Sequence, residues 1–484
     1  MNYHSDLSRE SLQNLNISAQ AIDMLLDEVE QQKMEVHSLI ISKQGKIVCE
    51  GYWKPYAIDV PHIMYSVSKT FAATAIGLLY DDGLIDLHRP VIEYFPQYAD
   101  LAKGYMKEVT LHHLLSMNAG TDGYTTEKIC NDPNHPDWAA NFFSDELVHK
   151  PGTHFQYNTP ASYMLCRTTM EITGKKPLDF LNDRLFKDMN IADIAWDECP
   201  LGCNVGGWGM WIKSEDLLKV GLLYLNKGLY NGKRLLSEEW VHQLSRFHSD
   251  SRNPDNMTQI GYGYQVWLNT VGGFRMDGMY GQLCFVLPEK EMVIVATAGM
   301  SKPTLLVEAI SRMISNSQGE TTEEEEKELR KRLLALQTPP LPVLSEPRVE
   351  VGEPMIFQLE PNGEGYHRLE LTFHRDGGVL TLTYNKGQGG YTSLLPFGYG
   401  EWKEGTRVRN TGSREWTGGV KRTVTSAQWD ENILNLELRF YETAFAERWE
   451  CYLLGNQIMI ERQQNCGDQG QVELETLQGY LIES

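Results

Sequence analysis

The hydrophobic rhythm of the chain changes twice. Up to about residue 318, short apolar runs alternate with stretches of helical period. Leu39-Ile40-Ile41-Ser42 and Lys46-Ile47-Val48-Cys49 flank Gln44-Gly45, which predicts a β-hairpin. Phe285-Val286-Leu287 and Met292-Val293-Ile294-Val295-Ala296 flank Pro288-Glu289-Lys290-Glu291 and predict a second. Helical patterns lie between them at Leu111 to Met117, Ser162 to Ile172 and Glu215 to Leu225. Strands at both ends with helices between predict one antiparallel sheet closed from both termini, beside a helical lobe. Residues 319–342 differ: an acidic run from Glu323 to Glu326, then Lys327 to Leu334, then Pro339-Pro340-Leu341-Pro342. Glutamates placed before lysine and arginine predict a short charged helix, which the prolines stop and extend as a stiff spacer. From 343 to 484 the period becomes two, as in Leu369-Glu370-Leu371-Thr372-Phe373, Val379 to Tyr384 and Leu434 to Phe440. Turns at Asp376-Gly377-Gly378 and Gly387-Gln388-Gly389-Gly390 separate these runs, so the tail reads as an all-β barrel or sandwich. No internal repeat is visible.

Composition narrows the function classes. The 484 residues are 41% apolar, ordinary for a soluble globular protein. A net charge of -21, from 65 acids against 44 bases, argues against nucleic acid or an anionic membrane surface as the main partner. The longest apolar stretches, such as Met292 to Ala298, fall short of the roughly 18 to 20 residues that span a bilayer. The start, Met1 to Asp6, is polar and lacks a signal peptide's basic and apolar parts, so a cytoplasmic protein is expected unless a leader was removed. Eight scattered cysteines read as free buried thiols. Cys199 and Cys203 form the one close pair, with no histidine beside them to complete a four-ligand site. Neither metal nor cofactor is expected.

The chemistry-bearing segment is Tyr65-Ser66-Val67-Ser68-Lys69-Thr70-Phe71. From Phe71 on, the chain is apolar on nearly every face until Asp81-Asp82-Gly83, where Gly83 suits a left-handed C-cap; such a helix is buried. Ser66 opens that helix, and Lys69 lies one turn on, on the same side. A serine hydroxyl needs a base to become a nucleophile, and a lysine in a low-dielectric interior has its pKa lowered enough to be that base. The helix N-terminus aims backbone N–H groups at developing negative charge. Ser66/Lys69 is the only S-x-x-K in the sequence. On its own the pair reads equally as an N-cap serine with a lysine that snorkels to water. In Pro151-Gly152-Thr153-His154-Phe155-Gln156-Tyr157-Asn158-Thr159-Pro160, Tyr157 is either a partner of Lys69 in proton transfer or one packed aromatic among 23 tyrosines. In Gly278-Met279-Tyr280-Gly281-Gln282, the glycines mark close approach of a ligand or a plain bulge. An edge strand here would offer the Gln282 N–H as one half of an oxyanion hole and Ser66 N–H as the other.

The order of these motifs resembles the serine β-lactamase and penicillin-binding-protein superfamily, and within it the class C β-lactamase-like esterases, amidases and D-amino-acid peptidases. The resemblance runs over about residues 20 to 315. It includes Asp82-Gly83-Leu84-Ile85-Asp86-Leu87 with Pro90-Val91 and Tyr94-Phe95-Pro96, and Val109-Thr110-Leu111-His112-His113-Leu114-Leu115-Ser116-Met117-Asn118-Ala119-Gly120. Gly206-Gly207-Trp208-Gly209-Met210 and Gly261-Tyr262-Gly263-Tyr264-Gln265 also have counterparts. It implies an α+β fold of two lobes, an antiparallel sheet flanked by helices and an all-helical lobe, with the site between them. It implies an acyl-enzyme on Ser66, assisted by Lys69 and Tyr157, with the Ser66 and Gln282 amides stabilising the tetrahedral intermediate and Thr159, Met279, Tyr280 and Gly281 contacting substrate. Two positions depart from the pattern. The usual Y-x-N reads Tyr157-Asn158-Thr159, which keeps a hydroxyl and loses a carboxamide. The usual K-T-G or H-x-G reads Met279-Tyr280-Gly281, with no cation to hold a substrate carboxylate. Both point away from β-lactams and towards ester or amide chemistry on a less anionic substrate. The tail is similar to the lipocalin-like barrels of some D-aminopeptidase relatives. The expected domains are 1–318 (hydrolase), 319–342 (linker) and 343–484 (β-barrel). The expected partner is a small-molecule ester, amide or peptide substrate. A D-amino-acid peptidase and a non-catalytic sensor on the same scaffold are the alternatives, and the sequence does not indicate an oligomeric state.

Overall fold

The computed structural model describes residues 6–131, 134–345, 351–386, 389–409, 419–467 and 470–483. Met1 to Ser5 and the Gly387-Gln388 part of one expected turn lie outside them. Strands β1 (Val36–Lys43) and β2 (Lys46–Tyr52) form the first hairpin, with Gln44 and Gly45 both at positive φ (+53° and +77°), as a tight two-residue turn requires. Strands β3 (Trp267–Leu268), β4 (Phe274–Gly278), β5 (Gln282–Leu287) and β6 (Met292–Ala298) complete an antiparallel sheet in the order β2-β1-β6-β5-β4-β3. The β1–β6 pairing, with Ile41 opposite Ile294, closes the sheet from both ends of the region. β5 and β6 are buried along their whole length because helices cover both faces.

Six helices place the site: α1 (Ala19–Gln31), α2 (Ser68–Asp81), α3 (Thr159–Thr173), α4 (Ser214–Leu225), α5 (Thr304–Ser315) and α6 (Glu323–Leu334). α1 and α5 pack on one face through Leu25, Leu26, Val307 and Ile310. α4 lies on the other face, and α2 and α3 stand beyond it as the core of the helical lobe. α2 is buried from Ser68 to Leu79, and a Cβ at Gly77 would collide with the Trp240 indole, so the glycine leaves room for that ring against the helix backbone. Gly83 ends it at φ +68°. The charged helix α6 does not stand free. Thr322 and Glu325 cap it, Arg332 pairs with Asp23 (3.1 Å) and Asp27 (2.7 Å) of α1, and Leu329 and Leu333 are buried in the same apolar cluster as α1 and α5. Burying those two leucines contributes about 1.5–3 kcal/mol each.

The described residues from Met355 to Glu483 form ten strands closed into a barrel, successive strands pairing antiparallel and the first also with the last. The alternation seen in sequence fills its interior: Leu369, Leu371, Phe373, Leu380, Leu382, Leu434, Leu436 and Leu438 are all at or below 1% exposure. Closure leaves no strand edge to aggregate. The barrel docks on the first domain partly through Arg439, which pairs with Glu35 at 2.6 Å. All eight cysteines are buried free thiols. Among the described residues, no helix is long and apolar enough to cross a membrane.

Candidate active site

Ser66 is the middle residue of a 3₁₀ turn, Tyr65–Val67, that feeds into α2. Met64 N–H donates to the Met210 carbonyl (2.8 Å), Met210 N–H donates to Ser68 Oγ (3.0 Å), and Val67 N–H donates to the Met64 carbonyl (3.0 Å). Tyr65 sits at φ +44°, a left-handed conformation that costs a residue with a side chain roughly 1–2 kcal/mol. Such a cost persists only where the surroundings over-determine the backbone, and functional turns are where it concentrates.

Lys69 is 1% exposed, which rules out the snorkelling arrangement. Its Nζ donates to Ser66 Oγ (3.1 Å), Thr159 Oγ1 (3.3 Å) and the Gly207 carbonyl (2.7 Å). No carboxylate is among these partners. Burial therefore acts nearly alone and pushes the ammonium pKa down from 10.5 to about 7. Tyr157 places its ring 4.9 Å from Lys69 Nζ and is held by stacking on Trp267 (5.6 Å between centroids) and an edge contact with Tyr262. Burial raises the Tyr157 phenol pKa, with the adjacent Ser66 hydroxyl working the other way.

Ser66 and Tyr157 open onto a cavity of about 220 Å³, walled by Trp267, Pro303 and Val307 on its apolar side and by Arg275, Asp277 and Thr258 on its polar side. Arg275 and Asp277 pair at 2.8 Å. Gln259 also lines an adjoining cavity of about 670 Å³ with His154 and Arg252. His154, which lines the larger cavity, lies with Asp122 and His149 in a group whose potential ligand atoms are within 4.8 Å of one another, among the described residues the one group that could hold a metal ion.

The glycine motif is shifted from its expected place. β5, which begins at Gln282, is an interior strand with β6 on one side and β4 on the other, not an edge. The residue against the nucleophile is Gly278 at the end of β4: a Cβ there would lie 3.3 Å from Ser66 N and collide with the Met64 carbonyl. The turn Met279–Gly281 then carries the chain back into the sheet. Of the four expected residues only Met279 lines the cavity. Tyr280 packs against Tyr65, Gly281 faces Ala298 and Leu306, and the Gln282 carboxamide is buried on the Met279 and Ala298 carbonyls (3.0 and 2.8 Å). Thr159 is buried on Lys69 rather than facing the cavity.

A family model for beta-lactamases matches residues 22–309. The chain belongs to the beta-lactamase family. It is 25% identical over 311 residues to the 6-aminohexanoate-dimer hydrolase of Paenarthrobacter ureafaciens, covering 58% of this chain and 78% of that protein. A penicillin-binding protein homologue from Caulobacter crescentus superposes with TM-score 0.51 at 14% identity, covering 64% of this chain and 99% of that one. The D-amino acid amidase of Ochrobactrum anthropi SV3 gives TM-score 0.50 at 16% identity, covering 63% and 98%. These likenesses agree with a beta-lactamase-like fold for the first domain.

Two members of this beta-lactamase-family site escape a reading of the sequence. Gly207 must lack a Cβ, which would collide with Thr159 Cγ2 and lie 3.3 Å from Lys69 Nζ, so that its carbonyl can reach the lysine. The Gly206-Gly207-Trp208-Gly209 run was the available signal. Asn158 points away from the cavity and ties down Thr121 and Thr125 (2.9 Å each), which explains a carboxamide one position early in the tyrosine motif.

Proposed function

We propose that this chain is a serine hydrolase that cleaves an ester or amide through an acyl-enzyme on Ser66. The observation that carries this is Lys69: buried, with no carboxylate among its hydrogen-bond partners, and donating to Ser66 Oγ at 3.1 Å. A lysine with a pKa near 7 is partly neutral at physiological pH and can take the serine proton as Oγ attacks the carbonyl carbon. Tyr157, beside both groups, passes a proton to the leaving oxygen or nitrogen. The amides of Ser66 and Met279, on either side of the Gly278 approach, are the donors for the developing oxyanion, in place of Gln282. The same polarised lysine argues against a purely non-catalytic sensor, which has no use for a buried cation lacking an anion.

Intact-mass measurement after incubation with a fluorophosphonate tests the reading. One adduct on wild type, mapped to Ser66 and missing from Ser66→Ala, is expected. An unlabelled wild type, or equal labelling of the variant, overturns it. A panel of p-nitrophenyl esters against D-amino-acid amides then separates esterase from D-amino-acid peptidase.

A further inference from the structure

The barrel reaches the back of the nucleophile turn. Between its strands Ile433–Arg439 and Ala446–Leu454, residues 440–445 form a turn that docks on the first domain. Phe440, Ala444 and Phe445 are buried in one cluster with Ile63, Tyr65 and Tyr280. The rings of Tyr65, Tyr280 and Phe445 close a triangle, with centroids 5.1 Å apart for the two tyrosines, 6.5 Å for Tyr65 and Phe445, and 5.4 Å for Tyr280 and Phe445.

These two tyrosines are not arbitrary neighbours. Tyr65 directly precedes Ser66, and Tyr280 lies two residues beyond Gly278, the residue against the Ser66 amide. Both are held at left-handed φ, +44° and +64°, although neither is a glycine. Such conformations need support from outside the segment that adopts them. The backbone fastenings converge on the same place. Ile63 N–H donates to the Glu442 carbonyl (2.9 Å), Met300 N–H to the Tyr280 carbonyl (3.1 Å), and Asn465 Nδ2 to the carbonyls of Gly299 (3.1 Å) and Ala444 (3.0 Å). A Cβ at Gly299 would collide with the Ala444 carbonyl, so the two domains meet at backbone distance. Plain interdomain packing needs an apolar patch anywhere on the surface. Here the patch falls on the two strained residues that flank the nucleophile and the strand beside it.

We infer that the C-terminal barrel is a positioning element of the active site, and that Phe445 is the positioning residue, holding Tyr65 and Tyr280 and through them the Ser66 hydroxyl and the amides beside it. This rests on the reading of Ser66 as nucleophile.

The test uses the full chain with Phe445→Ala, Phe445→Leu and Asn465→Ala. The readouts are kcat and KM on an activated ester, the rate of Ser66 labelling by a fluorophosphonate at saturating reagent, and the thermal midpoint. Rates are expressed per labelled site, so that a smaller folded fraction does not count as slower chemistry. Phe445→Ala is expected to lower kcat and the labelling rate about ten- to a hundredfold with KM within about twofold, the pattern of a displaced reacting group. Phe445→Leu, which refills most of the volume, restores most of the rate. Asn465→Ala, which leaves the three rings in place, gives a smaller loss in the same direction. Wild-type labelling rates in a folded Phe445→Ala overturn the inference and leave the Ser66 reading standing. If Phe445→Ala does not fold, wild-type rates in Asn465→Ala overturn it. A wild type that takes no label overturns both.

Discussion

Two buried cations in this chain are handled in opposite ways. Lys69, in the first domain, is 1% exposed and hydrogen-bonds to two hydroxyls and a carbonyl, with the Tyr157 ring beside it and no carboxylate among these contacts. Arg407, inside the barrel, is fully buried and pairs with Glu447 (2.5 Å) and Glu364 (3.2 Å), while Arg462 reaches the other oxygen of Glu364 (2.7 Å). Both guanidinium groups lie over the Trp449 ring. Burial pulls on both cations in the same direction. In the barrel the two carboxylates outweigh it and hold the Arg407 pKa well above its ordinary value. At Lys69 nothing outweighs it, and the pKa falls to about 7. A buried cation with its anions is scaffold; without them it becomes a base. Residue choice accords with this, because lysine gives up its proton when buried and arginine does not.

The largest expected effect comes from removing the cation that has no anion. Lys69→Met is expected to lower kcat/KM by about a thousandfold or more, the scale of losing a member of a nucleophile–base unit. Lys69→Arg is expected to be no better, since arginine stays protonated. Steady-state rates on an activated ester check this, and full activity in Lys69→Arg would break the contrast between the two cations. Next comes the paired cation. Arg407→Met removes the guanidinium from the fully buried Glu447 and is expected to cost about 3–5 kcal/mol of stability, whereas Arg407→Met with Glu447→Leu recovers much of it. Guanidinium unfolding followed by the fluorescence of the buried Trp429 and Trp449 measures both. An unaffected single variant would show that the pair is not what holds the barrel interior.

The same contrast explains what the sequence disclosed. Hairpins, the buried helix after Ser66 and the alternating strands of the tail were legible because period and turn chemistry are local. The charged interior of the barrel was not. Arg407, Glu447 and Arg462 sit in strands where a polar residue reads as a wet face, and only closure turns them inward. α6 was legible as a short charged helix but its docking was not, although Leu329 and Leu333, four apart, are the stripe that buries it. At the site, the Ser66–Lys69 pair was legible because three residues along one helical turn fix its geometry. The strand contact was not, because which glycine meets Ser66 depends on how the sheet sits against α2. Gly278 lies more than two hundred residues from Ser66 in the chain, and the hairpin that pairs it with Gln282 draws Gln282 into the interior. Phe445 had no local signature at all, since its partners lie in the other domain.

The smallest effect probes the surroundings of Lys69 rather than the residue itself. If the neutral amine is the base, kcat/KM levels off about one unit above pH 7 and falls towards tenfold per unit about one unit below it, because protonation removes the base. The lowered pKa sets the sign: activity is gained as pH rises through about 7. Thr159 Oγ1 accepts from Nζ at 3.3 Å, and so stabilises the charged form. Thr159→Val removes that acceptor in nearly the same volume. The ammonium is then harder to keep, and the acidic limb is expected to move down by about half a unit to one unit, the equivalent of one weak hydrogen bond to a charged group. At pH 8, where the amine is already mostly neutral, the rate should change less than about twofold. A pH–rate profile of the two proteins decides it. An upward shift, or none, would mean that Thr159 does not touch the ammonium, and that burial alone sets the difference between this lysine and the arginines of the barrel.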